Sequence, residues 1–256
     1  MVARDGTPGL VMAHEKLAPT GTLRIAVWML PYFASVRPGG SELDGVIPEL
    51  GRELGRRLGV GATLVRFADP ASIVEAFRAG EVDVTFVGIT ADRATAIDFG
   101  PVVIDIETSY LVPAGSAITR IDEVDRAGVR IAVPRKSAQQ AHLQATLTEA
   151  TMIAVPPEAP QQAIDLLRAG RADAFSHVVP MLAVVRGQLS GARILPGSTY
   201  NVPIAIGHRK GAPPAAAALC KAFVENVVAS GFVQQAIDRM GEAGKGLVPH
   251  AASSRR

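Results

Sequence analysis

The sequence predicts an α/β protein made of two lobes with a common plan. Three observations carry this. The segment Pro70 to Asp83 recurs as Pro160 to Asp173, with the Pro, an aliphatic, an acid, Arg-Ala-Gly and the final Asp all keeping their places. Leu23-Arg24-Ile25-Ala26-Val27 returns as Val129-Arg130-Ile131-Ala132-Val133, in the same order relative to the first repeat. Between these pieces, short β-branched runs alternate with amphipathic helices, the pattern of βαβ units that build a parallel sheet. A chain of 256 residues has room for two such lobes of about 100 residues each.

Taken in order, Thr22 to Val27 reads as a buried strand. A helix follows from Pro48 to Leu58, with Val46, Leu50, Leu54 and Leu58 on one face and Gly59 as its stop. The first copy of the repeated helix has Asp69 as N-cap, Pro70 at its first position and apolar residues at 73, 74 and 77. Its terminal Gly80 supplies the positive φ of a helix C-terminus. Val82 to Val87 is the next strand. The second half continues with strand 129–133, a helix from Ser137 to Ala150, strand 152–155, the repeated helix and strand 172–176. Pro203 to Gly207 reads as a further strand, followed by helices over 214–230, with Leu219, Phe223 and Val227 in one stripe, and over 233–240.

Composition excludes several classes. Hydrophobic residues at 48% and charged residues at 20% do not fit a disordered, collagenous or coiled-coil chain. Twenty-six basic against 24 acidic residues leave a net charge of +2 with no basic stripe, so no nucleic-acid partner is expected. The single cysteine, Cys220, rules out an internal disulfide and a multi-cysteine metal site, and its Ala-rich apolar setting predicts a buried inert thiol. Apolar runs such as Val178 to Val185 fall far short of the about 20 residues that span a bilayer. Near the N-terminus the only apolar run, Leu10 to Ala13, is shorter than the about 7 to 15 residues of a signal-peptide core. The sequence as it stands therefore predicts no export.

With these segments laid out, the chain resembles the family 3 extracellular solute-binding proteins, the receptors of polar amino-acid ABC importers, over roughly residues 20–245. The resemblance rests on Gly-Thr-Leu-Arg-Ile-Ala-Val at the start, Leu43-Asp44-Gly45-Val46 through Leu58-Gly59-Val60, and Arg78-Ala79-Gly80 to Asp83. Thr90-Ala91-Asp92-Arg93-Ala94, Ile97-Asp98-Phe99, the Val129 to Ser137 strand and turn, and Ala229-Ser230-Gly231-Phe232 complete it. Each piece is common, and their order carries the likeness. It implies a type II periplasmic-binding-protein-like fold, two Rossmann-like lobes joined by a two-strand hinge. Residues 21–106 and 203–245 would form a discontinuous lobe 1 and 107–202 lobe 2, with an N-terminal extension over 1–20 and a flexible tail over 246–256. It also implies a small, carboxylate-bearing ligand held between the lobes, an ABC permease as partner, a periplasmic location and no cofactor.

The site residues follow from the same resemblance. Arg93 matches the family arginine that grips the ligand carboxylate, a task suited to a planar guanidinium. Its bland role is a surface cation beside Asp92 or Asp98. The interval from Asp83 to Arg93 is shorter than the family's, and Gly88 and Ile89 stand where a Ser or Thr usually assists; Gly88 is counted with the site. Ser137 opens a helix and, with Lys136 beside it, could meet an anion, an ordinary N-cap being its minimal role. Trp28 and Tyr32 lie in the loop that covers the ligand in the family, the competing role being core packing. Glu49 matches a structural acid. Where amino-acid binders place an Asp for the ligand's α-ammonium, this chain has Val178, leaving Ser176 and His177 as the nearby polar groups. An α-ammonium buried there without a partner would be costly, so the expected ligand is an organic acid or an amino-acid derivative. No metal-ligating or nucleophilic constellation is visible. Two other functions stay open: a dehydratase similar to cyclohexadienyl dehydratase, with His177 or Glu49 as general acid, and a cytoplasmic ligand sensor.

Overall fold

The computed structural model describes residues 17–250 apart from 38, 136 and 157–159. Its elements run β1 (Thr22–Trp28), β2 (Ser35–Val36), β3 (Leu43–Asp44), α1 (Val46–Leu58), β4 (Gly61–Phe67), α2 (Pro70–Ala79), β5 (Val84–Gly88) and β6 (Ile97–Val112). They continue with β7 (Arg130–Pro134), α3 (Ala138–Thr146), β8 (Thr151–Val155), α4 (Pro160–Arg168), β9 (Ala174–Val178), α5 (Val179–Arg186) and β10 (Arg193–Ile194). The last are β11 (Asn201–Arg209), α6 (Pro214–Ala229), α7 (Phe232–Arg239) and β12 (Leu247–Pro249). The chain is α/β, and its strands fall into two compact units. Unit 1 takes the described residues up to Asp105, Pro203–Gly244 and those from Val248, and unit 2 takes Ile106–Val202 with Lys245–Leu247.

The two units repeat one topology. In unit 1 the strand order is β4-β1-β5-β11, with β1 parallel to both β4 and β5 and β11 antiparallel to β5. In unit 2 it is β8-β7-β9-β6, with β7 parallel to both β8 and β9 and β6 antiparallel to β9. Each parallel core thus ends on an antiparallel strand, because β6 and β11 are the segments that carry the chain between the units. Apolar side chains cover the sheets: Ile73, Val74, Phe77 and Ile97 pack with Val87 in unit 1. Unit 2 has a cluster on each face, one around Phe175, Leu167 and Leu182, the other around Tyr110, Val133 and Leu143. Burying each such side chain is worth about 1.5 to 3 kcal/mol.

The internal repeat has a structural cause that periodicity alone does not reveal. In unit 1 the Asp83 carboxylate accepts from the Arg24 N–H at 2.9 Å, Nε at 2.9 Å and Nη2 at 2.6 Å, while Nη1 donates to the Gly80 carbonyl at 2.7 Å. In unit 2 the Asp173 carboxylate accepts from the Arg130 N–H at 2.9 Å, Nε at 2.9 Å and Nη2 at 3.0 Å, and Nη2 also reaches the Gly170 carbonyl at 2.7 Å. The main chain closes each pair, Asp83 N–H to Arg24 O and Asp173 N–H to Arg130 O, both at 2.8 Å. Gly80 and Gly170 hold φ of 71° and 61°, the left-handed geometry that turns each helix end back toward its arginine. The repeated Arg, Gly and Asp therefore form one clamp, used twice, between a helix end and the starts of two strands.

Several boundaries differ from the sequence reading. Helix α1 begins at Val46 rather than Pro48, since a proline in the first turn lacks only an N–H that has no helical partner. Gly45 precedes it at φ 127°, where a Cβ would lie 2.4 Å from the Phe33 carbonyl oxygen. Helix α3 stops at Thr146, short of Ala150, because the Thr148, Glu149 and Ala150 N–H groups all donate to the Asp125 carboxylate at 2.8 to 2.9 Å. The expectation of a free tail over 246–256 is corrected for its first part: Leu247–Pro249 form β12, paired with β6, and Leu247 is buried.

Candidate functional site

In unit 1 the parallel strands end at Trp28 and Gly88. Beyond Gly88 the chain makes a short loop and a single 3-10 turn, Arg93–Thr95. Thr90 Oγ1 accepts from the Arg93 N–H at 3.3 Å, fixing the start of that turn. This hydroxyl belongs to the Thr-x-x-Arg motif, but its bond to the arginine's own backbone was not anticipated. The Arg93 side chain folds back on the strand end, with Nη1 donating to the Gly88 carbonyl at 2.6 Å and the guanidinium carbon 5.8 Å from the centre of the Trp28 ring. Gly88 permits this approach, because a Cβ there would lie 3.3 Å from Arg93 Nη1. Among the described residues no carboxylate pairs with Arg93, and burial lowers its pKa against a smaller opposing effect of Asp92.

The aromatic loop divides its residues between packing and site. Trp28 Nε1 donates to the Ala68 carbonyl at 3.1 Å, which fixes the ring beside Arg93. Tyr32 is buried, edge-on to Phe33 at 4.9 Å between ring centres, and burial raises the pKa of its phenol. Its ring thus packs within unit 1 together with Phe33. Glu49 is held by Arg239, whose Nε donates to its Oε1 at 3.1 Å, joining α1 to α7. Asp98 is also spent locally, accepting from the Gly211 N–H at 2.8 Å.

In unit 2 the Ser137 hydroxyl caps α3: its oxygen accepts from the Gln140 N–H at 3.0 Å and it donates to the Pro134 carbonyl at 2.6 Å. Its proton is engaged within the chain, as in the minimal role foreseen for it. Lys136 lies outside the described residues. Ser176, His177 and Val178 close β9, but the pleat separates them. Ala174 belongs to the cluster with Leu143 of α3, and Phe175 to the opposite cluster with α4 and α5. Alternation then puts Ser176 and Val178 on the α3 face and His177 on the Phe175 face. Accordingly, the His177 and Phe175 rings meet edge-on at 5.6 Å, on the face opposite Ser176. His177 Nδ1 accepts from the Val178 N–H at 2.8 Å, which in the neutral ring leaves the proton on Nε2. Desolvation lowers the pKa of His177 to about 4. Ser176 and Val178 are both buried, the latter 4% exposed.

One polar feature of unit 2 had no signal in the sequence. Tyr200 stacks on His142 of α3 with ring centres 4.2 Å apart, and its phenol oxygen is buried without a hydrogen-bond partner. The two residues lie far apart in sequence and neither belongs to a motif. Cys220 is fully buried, and burial pushes its thiol up to about 12, as expected of an inert packing residue. Among the described residues no group of three or more His, Cys, Asp or Glu could hold a metal ion, and no single helix is long and apolar enough to cross a membrane.

Comparison with known proteins bears on the whole chain. The family model for bacterial extracellular solute-binding proteins, family 3, matches residues 24–242. No curated protein matches. Among solved structures, an ancestral amino acid-binding protein, a precursor of cyclohexadienyl dehydratase, gives a TM-score of 0.65 at 19% identity over 89% of this chain and 98% of its own. An amino acid ABC transporter substrate-binding protein from Streptococcus pneumoniae, bound to L-arginine, gives 0.65 at 17% identity over 90% of this chain and 98% of its own. An ancestral cyclohexadienyl dehydratase gives 0.56 at 17% identity over 89% and 95%. At these identities the likeness is one of fold.

Proposed function

The chain belongs to the bacterial extracellular solute-binding proteins of family 3, and from that premise we propose that it captures a small carboxylate-bearing solute for an ABC importer. The ligand class is an organic acid or an amino-acid derivative without a free α-ammonium. One observation carries the reading: Arg93 is a largely desolvated guanidinium with no carboxylate partner among the described residues, held in place by a single carbonyl and an aromatic face. An arginine in that state has free donors in a fixed plane, matched to a carboxylate by two parallel hydrogen bonds.

Val178 supports the second half of the proposal. It is an apolar, buried residue where amino-acid binders of the family carry the acid for the α-ammonium, and Glu49 is held by Arg239. An ammonium buried without a partner costs several kcal/mol, enough to reverse a preference for amino acids. The Streptococcus pneumoniae relative was solved with L-arginine, so L-arginine belongs in the test panel as the competing ligand. Native mass spectrometry of the purified protein, followed by calorimetry against mono- and dicarboxylic acids, N-acyl amino acids and the standard amino acids, decides the matter. Binding of the acids in preference to the amino acids is the expected result. Micromolar binding of a common α-amino acid with the acids silent would overturn the ligand class.

A dehydratase on this fold would need a proton donor at the site. The Arg239 pairing of Glu49 leaves His177 as that candidate, neutral at pH 7 with its proton on Nε2. Incubation with prephenate and with arogenate, monitored for the aromatic product, is expected to show no turnover.

A further inference from the structure

The chain beyond α7 returns to the stretch of β6 where unit 1 gives way to unit 2. Gly246 O accepts from the Glu107 N–H at 2.8 Å, and the His250 N–H donates to Val103 O at 3.1 Å. Residues 246–250 therefore run antiparallel along Val103 to Glu107, and these two bonds straddle Asp105 and Ile106, the last residue of unit 1 on β6 and the first of unit 2. The returning segment itself belongs to unit 2 through Leu247 and to unit 1 from Val248.

Three fastenings hold it. Leu247 is 4% exposed. His250 Nδ1 lies 2.7 Å from Asp105 Oδ2, whose side chain is 14% exposed. Gly246 sits at φ 81°, and a Cβ on it would come within 2.5 Å of the Val179 Cβ, so only glycine lets the strap lie this close to the start of α5.

We propose that residues 246–250 form a strap that restrains the passage of β6 between the units and so sets how freely the two units move about that strand. Hinge motion is absorbed by a few residues whose φ and ψ change. A strand bonded along its edge can make that change only by carrying its neighbour along or breaking the bonds between them. The chain thus passes between the units on β6 and on β11, and the strap that follows α7 is held by its pairing with β6, one buried leucine and one His–Asp contact. This inference concerns motion and holds whichever solute is bound.

The test needs no ligand. Cysteines placed at the exposed positions Ala218 of unit 1 and Gln188 of unit 2 would carry a fluorophore pair, the buried Cys220 staying unlabelled. Gly246→Val would expel the strap, and the double variant Leu247→Asp with His250→Ala would release it without adding bulk. Amide exchange is read at Glu107 and at position 250, whichever residue it carries, together with the distribution of distances between the fluorophores. At least tenfold faster exchange at both amides, with a broader distance distribution in ligand-free protein, is the expected result. Faster exchange with an unchanged distribution, or no change in either readout for both variants, overturns the proposal. If Gly246→Val fails to fold, the double variant alone decides between these outcomes.

Discussion

Removing the carboxylate from one copy of the repeated clamp should cost far more in unit 1 than in unit 2. The two copies make nearly the same bonds, but the Asp83 side chain is 2% exposed and the Asp173 side chain 34% exposed. Asp83→Ala would strip Arg24 of its acceptor for the backbone N–H, Nε and Nη2 at once, and Arg209, whose Nη2 lies 3.7 Å from Asp83 Oδ1, would lose its counter-charge too. Breaking a buried ion pair on one side costs about 3 to 5 kcal/mol. Asp173→Ala leaves an Arg130 side chain that is already 40% exposed, so water replaces part of what is lost and the cost falls to about 1 to 2 kcal/mol. With a urea slope of about 1 to 3 kcal/mol/M, the midpoint should drop by roughly 2 M for the first variant and under about 1 M for the second. The chain has one tryptophan, Trp28 of unit 1. Its fluorescence reports unit 1 while far-ultraviolet dichroism reports both units. Equal losses in the two variants, or a larger loss for Asp173→Ala, would refute the argument that burial rather than bond number sets the worth of the clamp.

Two further predictions follow from groups with displaced ionisation. Arg93→Ala should weaken solute binding by about 10- to 100-fold, the value of a charged hydrogen bond of about 1.5 to 3 kcal/mol, without lowering the urea midpoint; unchanged affinity in calorimetry would remove Arg93 from the site. His177 has its pKa depressed from 6.5 to about 4 by desolvation, so its contribution to stability is complete above pH 6.5 and is lost as pH falls toward 4, the unfolded chain taking up the proton first. At pH 5 this amounts to about 2 kcal/mol, and His177→Gln should flatten the pH dependence of the urea midpoint between pH 7.5 and 5 by that amount.

What could be read in the sequence follows from how local its causes are. The strands and helices of both halves, the Asp69 cap of α2 and the left-handed Gly80 were all accessible, because each depends on residues within one turn or one strand. The clamp was half visible. Arg24, Asp83, Arg130 and Asp173 all stood in the repeats, yet nothing in a linear pattern says that the arginine of one repeated piece meets the aspartate of the other. Helix α3 ended early through Asp125, some twenty residues upstream of the amides it binds, and no helix-propensity argument reaches that far. The stack of Tyr200 on His142 and the return of Leu247–Pro249 to β6 are tertiary pairings without a local signal. At the candidate site, the Thr-x-x-Arg motif points to Arg93, whereas the opposite faces taken by Ser176 and His177 follow from strand alternation.

The two halves agree at one end of their strands and part company at the other. Arg24 and Arg130, Asp83 and Asp173 lie at the starts of the parallel strands, where the duplicated clamp holds each frame together. At the other end, β5 finishes in Gly88 and opens into the loop that carries Arg93, whereas β9 finishes in Val178 and enters α5 with Pro180 in its first turn. The same frame thus presents a cation in one unit and an uncharged, apolar strand end in the other. Ligands of open α/β sheets bind at the carboxyl ends of the strands, and those are the ends free to differ, since the fold does not depend on them for its clamp. A change at Gly88 or Val178 should therefore alter which solute is held with little effect on the frame, while a change at Asp83 alters the frame whatever the solute.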